Sequence, residues 1–271
     1  MERTDLLEYL LGKEALLQAI ELMGPQGQGD TRRSKKLHEV AGFGEIVLSY
    51  VRRFLSRQET VRIVEFSCGK SYLGIVLAVA LVELEGKRTE LTGVDVNAGL
   101  VEKCRRLARA VGLSEARFVA GRTMDFRSDE RFDLAVALHA CDTATDEAIA
   151  RGIQLGIPLI LTVPCCQNQI RGQIKGGHPL TAMTEFGPAR YRLANLLTDA
   201  LRAQFLRSAG YFVEMLEIGS PRLTPKNLAI CARKVKRRAR MPRDEGYRQL
   251  KALFGVTLKL EGLCPGVLRQ D

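Results

Sequence analysis

The 271-residue chain contains no tryptophan, and only 6% of its residues are aromatic. A surface that grips a single strand of nucleic acid stacks successive bases on exposed rings, and this chain has few rings to offer. Its seven cysteines, Cys68, Cys104, Cys141, Cys165, Cys166, Cys231 and Cys264, are odd in number, and no two stand in C-x-x-C spacing. That excludes a zinc ribbon, a thioredoxin-type motif and an even disulfide framework. Reduced thiols in the cytoplasm are expected, with no metal site. No apolar run approaches the ~20 residues that span a bilayer. The opening stretch, MERTDLLEYLLGKEALLQ, lacks the basic start and small-residue cleavage site of a signal peptide. The dinucleotide fingerprint G-x-G-x-x-G is not met at Gly69 and Gly74, and a P-loop is missing because position 64 is Val64.

What the chain does have is ordinary globular texture, 46% hydrophobic and 27% charged, with a net charge of +10. Such a balance fits one large domain, or a domain with a small extension. The positive excess bears on partners rather than on fold, and nucleic acid is the partner class it favours.

Residues 5–23 carry leucines close to helical spacing, and Gly24-Pro25 ends that pattern. The stretch GPQGQGDTRRSKK (24–36) reads as a linker, and a second helix follows over about 37–56. From residue 61 β-branched runs alternate with helical patterns. Strands are expected at 61–66, 90–96, 116–121, 132–139, 158–164, 212–219 and 227–234. Helices are expected at about 71–85, 98–111, 143–155 and 188–209. Alternation of this kind predicts an α/β fold, a doubly wound seven-stranded, mostly parallel sheet. The last two strands have no helix between them and read as a C-terminal β-hairpin at the sheet edge. The organisation is then a helical extension (1–58), a central domain (59–235) and a basic segment (236–271) packing on it.

In a parallel sheet, ligands bind beyond the carboxyl ends of the strands. Ser67-Cys68-Gly69-Lys70 stands at such an end, directly after Glu65. Its small residues admit a close backbone approach, and the acid suits a ligand with an ammonium group. Asp95 ends the next strand, where a carboxylate can accept from ribose hydroxyls. Val96 beside it can pack on an adenine face, with Asn97 next in line. Thr123, Met124 and Asp125 follow the third strand and are candidates for the adenine edge.

With these residues in view, the sequence resembles the class I S-adenosylmethionine-dependent methyltransferases over roughly residues 60–234. EFSCGKS (65–71) stands where that family has D/E-x-G-x-G-x-G, with Ser67 and Ser71 in place of glycines. GVDV (93–96) resembles its second acidic motif. The stretches SKKLHEV, LHACDTATD, VPCCQNQ and SPRLTPKNLAI are similar to a narrower subfamily with D-x-G-C-G-K-G, L-H-A-C-G and C-C motifs. That subfamily includes the methyltransferase domain of the glutathione S-transferase C-terminal-domain-containing protein. The eukaryotic tRNA acceptor-stem 2′-O-methyltransferase carries similar motifs, although Asp142 replaces a glycine here and that enzyme's zinc-finger cysteines are missing. The resemblance implies S-adenosylmethionine as cofactor and RNA, of tRNA or rRNA type, as substrate. Protein or small-molecule methylation, or a catalytically silent RNA- or ribosome-binding protein, are the alternatives.

Leu138 and His139 end the fourth strand, where this fold presents the methyl group. Cys68 follows the first strand, Cys141 the fourth, and Cys165 and Cys166 the fifth, so the thiols are expected to gather near His139. They can be packing residues, a thiolate nucleophile for cytosine C5, or a soft ligand set. For a hydroxyl or amine acceptor, Lys36, His38 and Glu39 are candidates for moving the proton, alongside His139. Lys70 can meet a substrate phosphate or its own helix end. The connection 167–187 reads as a substrate-side lid. Contacts to RNA phosphates are expected from Arg32, Arg33, Lys35, Lys36, Arg171 and Lys175. The run at 233–243, including Arg237 and Arg238, joins them, and Asn227 is a candidate for a base or backbone contact.

Overall fold

A computed structural model describes residues 5–24, 31–165, 167–219, 227–235 and 244–268. The apolar, β-branched runs form seven strands: β1 (Thr60–Phe66), β2 (Arg88–Asp95), β3 (Arg117–Ala120), β4 (Leu134–Leu138), β5 (Leu159–Val163), β6 (Tyr211–Glu217) and β7 (Leu228–Lys234). They make one sheet in the order β3-β2-β1-β4-β5-β7-β6. β1 to β5 are parallel, and β7 runs antiparallel to both β5 and β6. The expected α/β sheet and its terminal hairpin are both present. The hairpin is folded inward, so that β7 rather than β6 joins β5.

The helices are α1 (Leu6–Leu11), α2 (Glu14–Ala19), α3 (Thr31–Phe54), α4 (Tyr72–Glu83), α5 (Ala98–Ala110), α6 (Thr143–Gln154), α7 (Asn168–Gln173), α8 (Thr181–Thr184), α9 (Gly187–Ser208), α10 (Glu245–Phe254) and α11 (Lys259–Leu263). Successive strand residues feed opposite faces, as a period of two requires. Ile63, Leu134, Val136 and Leu161 pack with α1 and α3–α5. Val64, Ala135, Ala137 and Ile160 pack with α6 and α9–α11. Burial on both faces is why β4 and β5 read as unbroken apolar runs instead of alternating ones. No helix among the described residues is long and apolar enough to cross a membrane.

Three segments differ from the sequence reading by more than a shift of one or two residues. The helix expected over 5–23 is two, because Gly12 ends α1 and α2 begins at Glu14. The supposed linker 24–36 is helical from Thr31 onward. Arg and Lys are good helix formers, and the glycines and glutamines at 24–28 masked that in the sequence; residues 25–30 lie outside the described residues. The connection 167–187 is not an open loop. It carries α7 and α8, buries Ile170 and Ile174, and ties to the C-terminal segment through Gln169 and Gln173, which donate to the Thr257 carbonyl at 3.3 and 3.0 Å.

One guanidinium joins the layer on the α9 side. Arg202 in α9 is 1% exposed. Its Nε donates to Asp146 Oδ1 of α6 at 2.8 Å, Nη1 to Asp199 Oδ1 at 3.2 Å, and Nη2 to the Asp142 carbonyl at 2.8 Å. Arg202→Ala leaves two buried carboxylates without their cation. A loss of about 3–5 kcal/mol is expected, read as the shift in urea midpoint.

Candidate active site

Strand order reverses between β1 and β4: β1 is followed outward by β2 and β3, and β4 by β5. In doubly wound sheets the ligand crevice opens at that reversal, beyond the carboxyl ends of the strands. Residues 67–71 and 139–142 are the loops that leave β1 and β4 there.

The first loop takes a left-handed turn at alternate residues, with φ of 51° at Ser67, 55° at Gly69 and 50° at Ser71. A side chain in that region costs roughly 1–2 kcal/mol, so Ser67 and Ser71 follow a backbone path that glycine would adopt freely. A Cβ at Gly69 would meet nothing within 4 Å; this is the open side of the loop. Its far side is anchored. Cys68 N donates to the Val94 carbonyl at 3.1 Å, Gly69 N to Asp95 Oδ2 at 2.8 Å, and Cys104 Sγ to the Gly69 carbonyl at 3.1 Å. Lys70 turns away, to Glu21 Oε2 at 3.4 Å and over the Tyr72 ring at 5.6 Å.

Glu65 is 3% exposed. Its Oε2 accepts from Ser71 Oγ and, at 3.2 Å, from Gly74 N. The acid therefore clasps the first turn of α4. Gly74 is the residue that makes room, since a Cβ there would collide with the Glu65 carboxylate. Burial raises the Glu65 carboxyl from its ordinary 4.5 to about 7; the Ser71 and Gly74 hydrogen bonds oppose the shift without cancelling it, and the Asp95 charge adds to it. The same physics disposes of Cys68 as a nucleophile: its hydrogen bond with Cys104, then its burial, push its thiol far up.

At the end of β2, Asp95 keeps its carboxylate half-buried, and Oδ1 accepts from Asn97 N at 2.9 Å. Val96 is 71% exposed beside it, an apolar side chain in the open. Asn97 caps α5, accepting from Leu100 N at 3.0 Å. Thr123–Asp125 form a short 3₁₀ turn after β3, in which Thr123 is buried and Asp125 exposed.

At the end of β4, Leu138 is half-buried and His139 also takes a left-handed backbone, φ 60°. Its Nε2 lies 3.0 Å from Glu39 Oε2 of α3, and the Lys36 ammonium lies 2.8 Å from the same oxygen. Burial alone would raise the Glu39 carboxyl, but the hydrogen bonds from His139 and Lys36, with their charges, hold it down at about 2. Glu39 is thus an ionised carboxylate that orients His139. The other ring nitrogen, Nδ1, is buried and has no hydrogen-bond partner among the described residues. His38, one residue along, points elsewhere: its Nδ1 contacts the Ser34 carbonyl at 2.7 Å.

The thiols divide into two groups. Cys68 pairs with Cys104 under the β1 loop, whereas Cys141 and Cys165 lie with sulfurs 3.0 Å apart, both within reach of the His139 carbonyl at 3.7 and 3.6 Å. Cys166 lies outside the described residues, as do Arg237 and Arg238. No cluster of three or more metal-ligating side chains occurs among the described residues.

Next to Cys165 a cavity of about 310 Å³ opens, lined by Gln167, Asn195, Asp199 and Asn227 among others. Gln167, Asn195 and Asp199 were not found from sequence, because residues 28 or more apart meet there through the α9 crossover. Asn227 was found, at the start of β7. Of the basic candidates, Arg32, Lys35, Arg171 and Lys175 are exposed, and Arg33 and Lys36 are half-buried.

A family model described as a methyltransferase domain matches residues 35–173. That span, 139 of 271 residues, is half of the chain and contains the β1, β2 and β4 loops and their partner α3. The chain belongs to this methyltransferase family. Its curated relatives include the glutathione S-transferase C-terminal domain-containing protein of Homo sapiens, 25% identical over 190 residues, covering 61% of this chain and 29% of that protein. The Mus musculus protein is 32% identical over 118 residues, covering 44% and 17%. The chain thus spans less than a third of the relatives it matches. Similar solved structures include a magnesium protoporphyrin IX methyltransferase from Synechocystis (14% identity, TM-score 0.46, covering 83% and 95%) and a geranyl diphosphate methyltransferase (14%, 0.48, 79% and 94%).

Membership implies S-adenosylmethionine as cofactor, and the residues present fit it. The open side of Gly69 admits a close approach, the Asp95 carboxylate stands at the β2 end beside exposed Val96, and the buried acid Glu65 underlies the loop. The methyltransferase should lose affinity for S-adenosylhomocysteine roughly 10-fold or more in Asp95→Ala, measured by calorimetry, because one charge-assisted contact is worth about 1.5–3 kcal/mol. Glu65 sets a pH signature. Its carboxyl is raised in the fold, so its stabilising contribution is complete below about 4.5 and is lost as pH rises through about 7. Glu65→Gln should flatten the stability profile across that window, as followed by thermal melting.

Proposed function

We propose that this methyltransferase acts on a structured RNA, of tRNA or rRNA type, in the cytoplasm. The observation that carries the reading is the distribution of charge around the transfer end. Residues 31–36, TRRSKK, hold four cations and no acid. Residues 168–192 hold four, Arg171, Lys175, Arg190 and Arg192, against the single acid Glu185. The first group begins α3, whose Glu39 reaches His139 and pairs with Lys36. The second ends at Arg192, which lines the cavity beside Cys165. Two basic stretches therefore flank the ends of β4 and β5, as phosphate contacts on both sides of a bound nucleotide would require. With few aromatic residues, recognition by shape fits better than stacking along a strand.

S-adenosylmethionine supplies an electrophilic methyl group when bound. Asp95 and Val96 hold its ribose and adenine, and the Gly69 loop receives its amino-acid end. Glu39 Oε2 lies 3.0 Å from Nε2 of His139 and orients the ring. His139 takes the proton that the acceptor hydroxyl or amine gives up. No covalent enzyme intermediate is needed for such an acceptor, and Cys165 then acts by packing.

The test is transfer of radiolabelled methyl to total RNA and total protein from a strain lacking the gene. Label in RNA is expected, and label only in protein would overturn the RNA reading. Glu39→Gln should slow transfer by ~10²-fold, within the usual span for general-base catalysis, with affinity for S-adenosylhomocysteine kept. Cys165→Ser should retain transfer; its loss with the cofactor still bound would favour thiolate attack on a cytosine.

A further inference from the structure

The cavity at the ends of β5 and β7 holds more hydrogen-bonding capacity than the protein itself uses. Three primary amides line it, Gln167, Asn195 and Asn227. Each has a buried polar atom without a partner among the described residues: Gln167 Oε1, Asn195 Oδ1 and Asn227 Nδ2. Gln167 is only 4% exposed, and its Nε2 is spent on the Asp199 carboxylate, 3.2 and 3.3 Å from the two oxygens. That contact fixes the amide, so Oε1 is the atom left over. Buried amide atoms seldom go unpaired, because each forfeits its bonds to water. Three residues that carry such atoms line one cavity, where a bound ligand could satisfy them.

The unpaired set is two acceptors and one donor, and the carboxylates of Asp199 and Glu217 on the same wall add acceptors only. The complementary ligand edge offers N–H donors next to one acceptor. Cytosine, adenine and guanine each carry an exocyclic amine near a ring nitrogen or carbonyl. Uracil has one N–H between two carbonyls, and would set oxygen against oxygen. Pro164, Leu196 and Leu228 supply apolar wall, and Arg192 stands exposed on the same lining. A volume of about 310 Å³ falls at the low end of small-molecule sites, enough for one base. Cys165, also on the lining, connects the cavity to the transfer end through its contacts with Cys141 and the His139 carbonyl.

We propose that this cavity receives a single nucleobase of the acceptor RNA and selects an amino-bearing base over uracil. The exocyclic amine meets Gln167 Oε1 and Asn195 Oδ1, Asn227 Nδ2 donates to the neighbouring ring nitrogen or carbonyl, and Arg192 meets the phosphate. This assignment rests on the RNA reading above and specifies its substrate.

The experiment titrates the full chain, loaded with S-adenosylhomocysteine, with the 5′-monophosphates of cytidine, adenosine, guanosine and uridine by calorimetry. At least one amino-bearing nucleotide should bind 10-fold or more tightly than uridine monophosphate. Asn195→Ala and Asn227→Ala should each erase that margin while keeping wild-type affinity for S-adenosylhomocysteine, which reports the intact fold. Equal binding of all four nucleotides, binding of none, or a margin that survives both substitutions would overturn the proposal. The RNA reading fails separately: methyl label only in protein would sink it, whereas labelled RNA without a nucleotide margin would remove the base cavity alone.

Discussion

The end of the sheet beyond β4 and β5 depends on a guanidinium buried where water cannot reach it. Arg202 holds Asp146 of α6, Asp199 of its own helix and the backbone of Asp142. Asp199 in turn holds Gln167 after β5. A chain of charge-assisted bonds thereby links the loops that leave β4 and β5 to the two helices that cover them. The cluster has more negative than positive charge. Burial raises the Asp199 carboxyl to about 6 against the pull of Arg202, so the arrangement is tense. Breaking any one member leaves the others exposed to a medium that solvates them poorly.

The cofactor side is built on other physics. There the backbone does the shaping, through left-handed turns at Ser67, Gly69 and Ser71. Polar side chains restrain those turns from behind: Glu65 grips the start of α4, and Asp95 and Cys104 hold the amide and carbonyl of Gly69. The two halves meet at His139. Its strained backbone belongs to the β4 loop, and its ring is oriented from α3 by Glu39. The extension before β1 thus reaches the β4 loop.

The central sheet was legible because β4 and β5 are almost wholly apolar and the crossovers α5 and α6 are amphipathic, whereas α4 is apolar on nearly every side. EFSCGKS and GVDV were legible as loops at the ends of β1 and β2 because local backbone chemistry is written in consecutive residues. Glu39 and Lys36 were legible as candidates, but the contact of Glu39 with His139 spans 100 residues and follows from how α3 packs. The start of α3 at Thr31 was hidden by the glycines and glutamines just before it. Asn195 could not be singled out at all: in an amphipathic helix like α9 an asparagine is unremarkable until β7 brings Asn227 opposite it.

The sheet order also bears on how the chain acquires its shape as it is made. β7 follows every other described strand of the sheet in sequence, yet it sits inside the sheet, between β5 and β6. Until residue 234 has emerged, β5 has one unpaired edge and β6 has no neighbour. Both are templates for pairing with another chain. The growing polypeptide must carry β6 without a strand partner while it waits, and closure then proceeds by insertion. Chaperone demand and misassembly should concentrate in that interval, and the amide-lined cavity, which needs Asn227 at the head of β7, comes into being only at its end.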